Sequence, residues 1–290
     1  MIHLKVKEIR DKKDLDDRLL AVDQTSEVNQ KIARYIEKKY NLIVFMTADN
    51  LSNKIGVSQG SVSRFCTKMG YNGYNDFLRY LQKIISSEMT IKKRHLIINN
   101  EDENDKNLNI LNQEINNLKE LQEITQTAEY KNVVEILAKS DKIFLMSNRM
   151  SETLLPYMYY IFSRLRPNVY KLDYGTPAWE NVDLEDPKKS LIFTTFFPRY
   201  SSSLLKKMQD LNNKGFKIIS ITDSRLSPIV KYSKVALISP ITISSVFDVY
   251  STPLLLINLL MRDISSKIPN IDQRLNRIEE MNKNEHSFLL

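Results

Sequence analysis

The sequence predicts an all-α head joined to an α/β domain, a three-layer sandwich around a five-stranded parallel sheet. Three observations carry that expectation. Apolar residues recur at intervals of three and four through about residues 26–87. A polar, aperiodic stretch follows, Asn99-Asn-Glu-Asp-Glu-Asn-Asp-Lys-Asn107. Beyond residue 140, short apolar runs alternate with helical stretches, the pattern of buried parallel strands and their crossovers.

Ser26 caps a helix over 26–40 that places Val28, Ile32, Ala33 and Ile36 on one face. Leu42-Ile-Val-Phe-Met46 is an apolar link into the next element. Thr47 caps a helix over 48–55 with Leu51 and Ile55 inward, and Gly56 follows where the chain needs a positive φ. Ser58 caps a helix over 59–69 whose inner face is Val62, Phe65, Cys66 and Met69. Gly70 ends that helix, and another covers 76–87 with Phe77, Leu81 and Ile84 or Ile85 inward.

Two short helices joined at Gly56 make residues 47–70 a helix-turn-helix pattern, the arrangement that reads the DNA major groove. With Val62, Phe65 and Met69 inward, Gln59, Ser61, Ser63, Arg64 and Lys68 fall on the exposed arc or its margins. Gln59 suits adenine, Arg64 suits guanine or a phosphate, and Ser61 suits a base edge or phosphate. Thr47 and Ser58, as caps, bring backbone N–H groups to phosphates. Charge points the same way. Residues 27–94 hold 12 Lys/Arg against 5 Asp/Glu, whereas residues 1–26 (6 against 6) and 95–290 (24 against 24) are balanced. The whole formal charge of +7 therefore sits with the motif, which marks a polyanion such as double-stranded operator DNA as its partner.

Residues 1–94 form the expected head, 95–109 a linker and 110–290 the second domain. Leu108, Leu111, Ile115, Leu118, Leu121 and Ile124 predict a long amphipathic helix, and another covers 130–139. The expected strands are 143–146, 169–172, 191–195, 218–221 and 235–238, with helices at 152–165, 200–214 and 226–232 between them. An apolar helix over 250–263 and a charged one over 271–282 close the chain.

No apolar run reaches the ~20 residues of a membrane span. The N-terminus lacks the apolar block of a signal peptide. Cys66 is the only cysteine, which excludes an internal disulfide and a Cys-rich zinc site and suits a reducing cytoplasm. No catalytic residue, metal site or cofactor is expected.

Ile32-Ala-Arg-Tyr-Ile36, Met46-Thr47, Ile55-Gly-Val-Ser58 and Val62-Ser-Arg-Phe-Cys-Thr-Lys-Met-Gly-Tyr-Asn-Gly-Tyr-Asn-Asp-Phe77 resemble the RpiR-type bacterial transcriptional regulators. That family sets such a head before a sugar-isomerase (SIS) domain, an α/β sandwich that binds phosphorylated sugars. Ile218-Ile-Ser-Ile-Thr-Asp-Ser-Arg-Leu-Ser-Pro228 is similar to part of an SIS domain. The resemblance implies a regulator that acts as a homodimer or homotetramer and answers to a sugar phosphate or related anion. SIS domains that bind sugar phosphates carry Gly-x-Gly-x-Ser after the first strand and Ser-x-Ser-Gly-x-Thr after a later one. Here the turns read Ser147-Asn-Arg-Met-Ser151 and Thr195-Phe-Phe-Pro-Arg-Tyr200, followed by Ser201-Ser-Ser203. Glycine lets backbone N–H groups approach a phosphate, and these turns have none.

Ligands of an open parallel sheet gather at the carboxyl ends of its strands. The effector candidates there are Ser147, Arg149, Ser151, Arg199, Ser201 and Ser202, with the two guanidinium groups gripping an anion. Two alternatives stay open. One is a ligand-independent DNA-binding protein whose SIS domain only oligomerises. The other is an SIS-fold sugar isomerase, which needs a positioned base. The three histidines, His3, His95 and His286, all lie outside the α/β body, and Glu152 and Glu180 have no evident partner.

Overall fold

The computed structural model describes residues 12–23, 25–44, 46–88, 106–243 and 247–285. The chain divides into two compact units, Met1–Asn116 with Thr242–Val249, and Asn117–Ile241 with Tyr250–Leu290. The three histidines, linker residues 95–105 and the side chains of Ile84 and Ile85 lie outside what is described.

The first unit is helical: α1 Lys12–Asp23, α2 Glu27–Ile43, α3 Ala48–Ile55, α4 Gln59–Lys68 and α5 Tyr74–Glu88. Helix α1 is an addition to the sequence reading, and it buries Leu15, Leu19 and Val22 in the same core as Ile32, Ile36, Leu51, Phe65 and Phe77. Ser26, Thr47 and Ser58 each cap the helix expected of them. Thr47 adds a capping box, its hydroxyl accepting the Asn50 N–H at 3.1 Å. Helix α2 runs three residues further than the spacing implied, into the apolar link, where Ile43 and Val44 are buried. The Tyr74 hydroxyl ties that link to α5, donating to the carbonyl of Met46 at 2.9 Å.

Gly56 takes φ +76° and donates its N–H to Ser52 O at 2.9 Å, so it ends α3 and sets the angle at which α4 departs. A Cβ there would meet nothing within 4 Å, so any penalty is conformational. Gly56→Ala is expected to lower head stability by about 1 kcal/mol, read as a shift in denaturant midpoint.

Helix α6, Lys106–Ile124, begins inside the expected linker, so residues 106–109 are helical. It turns Leu108, Leu111, Ile115 and Leu118 to solvent and buries Leu121.

The second unit holds the parallel sheet, ordered β2-β1-β3-β4-β5: β1 Lys142–Met146, β2 Val169–Leu172, β3 Ser190–Phe196, β4 Lys217–Thr222 and β5 Val235–Ile238. All four pairings are parallel. Central β3 is buried at every residue, as a strand covered on both faces must be. One face packs on α7 Ala128–Lys139, α8 Leu155–Leu165 and α11 Ser251–Ser265 through Leu137, Phe162, Phe193 and Leu260. The other packs on α9 Pro177–Asn181 and α10 Ser202–Asn213 through Trp179, Phe196, Leu204 and Met208. Helix α12, Ile271–Asn284, returns to α8, where Arg274 donates to the carbonyls of Ser163 (2.6 Å) and Arg164 (2.7 Å).

Three expectations need correction. The 226–232 helix does not form; only Val230–Tyr232 makes a 3-10 turn, because Pro228 removes a backbone donor from a short connection. The expected helix over 152–165 is split into a 3-10 segment, Arg149–Leu154, and α8, with Pro156 in the first turn of α8. A hairpin of β6 Thr242–Ile243 and β7 Asp248–Val249 and the five-residue α9 were not foreseen.

Candidate nucleic-acid interface and ligand loops

Helix α4 is amphipathic in the sense its sequence implies. Val62, Phe65 and Cys66 are buried, and Met69 beside its end is buried too. Burial pushes the Cys66 thiol up, the Asp76 carboxylate adding to the shift, so it is a packed core group and no nucleophile. Gln59, Arg64 and Lys68 are exposed, and Ser61 and Ser63 sit at the margins of the same arc.

The start of α4 is locally organised. Ser58 Oγ accepts the Ser61 N–H at 3.1 Å and lies 2.8 Å from Ser61 Oγ. Arg64 donates from Nη2 to Ser61 Oγ at 3.2 Å, which folds its guanidinium back over the first turn. Gly60 makes room for it: a Cβ at that position would come within 3.3 Å of Arg64 Nη1. A positive group thus stands at the positive end of a helix, an arrangement that favours an anion there. On α3, Thr47 is partly exposed and its N–H-rich first turn also carries Asp49.

In the α/β unit, the connections after β1 and β3 leave toward α8 and α10 on opposite faces of the sheet. The two strands are neighbours, so this is the switch point where an open sheet leaves a crevice. Both connections place an arginine in the left-handed region, Arg149 at φ +57° and Arg199 at φ +61°. Arg149 stands where the Gly-x-Gly-x-Ser pattern has its second glycine. In the second turn it is Arg199, not Pro198, that takes the left-handed conformation suited to glycine. Both side chains are exposed.

The serines divide into two groups. Ser147 is fully buried and donates to Thr195 O at 2.8 Å, while Thr195 donates to Ser147 Oγ (3.0 Å) and to Ser151 O (2.9 Å). Ser151 Oγ accepts the Phe197 N–H at 3.1 Å. These two hydroxyls lock the β1 loop to β3. Ser201 instead caps α10, accepting the Leu204 N–H at 3.3 Å, and Ser202 beside it is exposed. Asn148 spans the crevice, its amide donating to Ser201 Oγ at 3.2 Å and Ser203 Oγ at 3.0 Å. Sequence reasoning missed Asn148, and no local pattern signals it. Further along the same rim, Tyr200 stacks on Phe196 at 5.0 Å and donates to Asp223 Oδ1 at 2.8 Å. Burial raises the Glu152 carboxyl, the Asp173 carboxylate adding to it and Lys171 opposing. Trp179 is buried in the core beside Tyr174, a packing residue. Among the described residues no cluster of His, Cys, Asp and Glu forms a metal site, and no helix is long and apolar enough to cross a membrane.

Known proteins match at both levels. The model of the rpiR-family helix-turn-helix domain matches residues 21–88, and that of the SIS domain matches residues 136–262. Among solved structures, the Vibrio vulnificus NanR protein complexed with ManNAc-6P aligns over 93% of this chain and 98% of its own, at 17% identity and a TM-score of 0.53. The sugar isomerase domain of the RpiR transcription factor from Sphaerobacter thermophilus aligns over 61% of this chain and 99% of its own, at 16% identity and a TM-score of 0.56. No curated protein sequence matches the chain.

Proposed function

Because this chain is an RpiR-type transcriptional regulator, an rpiR-family helix-turn-helix followed by a SIS domain, we propose that α4 reads operator DNA and that the loops after β1 and β3 sense an anionic metabolite. The observation that carries the first part is the outward polar face of α4 on a buried apolar one, within the sequence segment that holds the chain's surplus of positive charge. Gln59, Ser61, Ser63, Arg64 and Lys68 meet base edges and phosphates; Thr47 and Ser58 offer the N–H groups of their helix starts to the backbone. The head acts as residues 1–94, and residues 110–290 sense and assemble. The reading places the protein in the cytoplasm, as a homodimer or homotetramer on a two-fold operator. The solvent-facing apolar stripe of α6, spaced three and four residues apart, supports assembly through that helix.

Arg64→Ala is expected to weaken binding to the chain's own upstream DNA by ~1–3 kcal/mol in a fluorescence-anisotropy titration. Wild-type affinity in that variant would remove Arg64 from the reading surface.

For the effector, Arg149 and Arg199 supply the grip and Ser201 and Ser202 the helix start, while Ser147 and Ser151 hold the loop in place. Non-glycine residues in the left-handed region cost free energy and gather at ligand sites, which supports a function for the two arginines. NanR, described with ManNAc-6P, supports a phosphorylated sugar as the class. A sensor suits the unit better than an isomerase, because no histidine occurs between His95 and His286 to act as base. The second reading, assembly without a ligand, draws on Asn148, which already occupies the Ser201 and Ser203 hydroxyls. Calorimetry with a panel of sugar phosphates separates the two. Heat that disappears in Arg149→Ala supports sensing, and silence across the panel supports assembly alone.

A further inference from the structure

At the opposite pole of the same sheet, where the strands begin, a cavity of about 380 Å³ opens between the end of α7 and the starts of β3, β4 and β5. Its wall carries Lys139, Lys188, Lys189, Lys217 and Lys234. Lys139 is held by Glu135 at 2.8 Å, a carboxylate that Lys267 shares at 3.0 Å. The other four lysines make no ion pair among the described residues, and of the acidic groups lining the cavity only Asp141 is left to oppose them.

These cations are not needed to neutralise the negative end of α7. Arg166 does that, donating to the carbonyls of Leu137 at 2.6 Å and Ala138 at 3.2 Å, and to those of Ser140 and Asp141. The cavity also holds an unmatched polar group. Ser190 is 4% exposed, its Oγ is buried without a hydrogen-bond partner, and it lines the same wall. The hydroxyl itself has almost no accessible surface, so it is the lysines that face a ligand.

We propose that this cavity binds a small metabolite bearing two phosphate groups, with Lys188, Lys189, Lys217 and Lys234 neutralising them. Lysine suits the task as a mobile point charge for phosphate. The volume lies in the range of small-ligand sites, and its concavity excludes a DNA duplex, which presents a convex cylinder about 20 Å across. The site is separate from the loops at the carboxyl ends of the strands, so it stands whether or not those loops bind an effector.

Isothermal titration calorimetry of the full chain with inorganic pyrophosphate and with fructose 1,6-bisphosphate tests it. In the Arg149→Ala/Arg199→Ala background, which silences the loops at the carboxyl ends of the strands, at least one probe should bind with one site per chain. Lys217→Gln and Lys234→Gln, both exposed side chains, should each weaken that binding about tenfold in the same background. The proposal fails if neither probe binds in that background, or if binding survives the Lys217→Gln/Lys234→Gln double variant. It also fails if the double variant loses affinity for duplex DNA alone, since the patch is then a backbone contact.

Discussion

Phe65→Ala is expected to destabilise the helical unit by about 3–5 kcal/mol, the usual cost of emptying a buried aromatic site. Phe65 is fully buried among α1, α2, α3 and α5, and it also sets the roll of α4, because Val62, Cys66 and Met69 pack on the same side. Its loss therefore removes both the stability of the unit and the presentation of Gln59 and Arg64. The readout can be split cleanly. Trp179, the only tryptophan, lies in the core of the α/β unit, so its fluorescence follows a core to which Phe65 does not belong. Far-UV circular dichroism should show an early helical transition in the variant while the Trp179 transition keeps its midpoint. A variant with an unshifted helical transition would mean that Phe65 is not the keystone its burial implies.

Arg166→Met is the second large effect, on the order of 3 kcal/mol from the α/β unit. Arg166, 9% exposed, donates to four carbonyls at and just beyond the end of α7, those of Leu137, Ala138, Ser140 and Asp141, groups that a helix C-terminus cannot satisfy by itself. Methionine keeps the unbranched stem out to the ε position and removes every donor. Arg166→Lys should recover only part of the loss, since one ammonium cannot span that set. Here the Trp179 transition should move and the helical one stay. Equal stability in Arg166→Met would show that water caps α7 equally well.

The two effects differ in how far a reader of the sequence could have foreseen them. Phe65 belongs to an i, i+3, i+4 series bounded by Ser58 and Gly70, so its burial follows from local spacing, and so do the caps at Ser26, Thr47 and Ser58. The strands were legible for the same reason: apolar runs buried on both faces, such as Ile192-Phe-Thr-Thr195, carry their signal in themselves. Arg166 was not legible, because its partners lie 25 to 29 residues earlier and only the packed fold brings them to it. Asn148 escaped for the same cause, its partners being 53 and 55 residues away. Helix α1 went unseen because its buried face is only Leu15, Leu19 and Val22 amid seven charges, and the hairpin because its strands are two residues each. The missing 226–232 helix is the reverse case, a weak helical pattern that Pro228 interrupts. At the ligand loops the sequence placed the arginines correctly at the strand ends. It could not reveal that both would adopt the left-handed backbone that glycine favours.

The measurement that tests the central claim most directly is the salt dependence of binding between the full chain and duplex DNA from its own upstream region. A basic α4 surface laid against phosphates releases counterions, so affinity should fall by about 10³-fold between roughly 50 and 200 mM salt, as several phosphate contacts require. Arg64→Ala and Lys68→Ala should each make that slope shallower. An absence of binding at the lowest salt, or an affinity indifferent to salt and to both substitutions, would contradict the claim that this helix presents a DNA-reading surface.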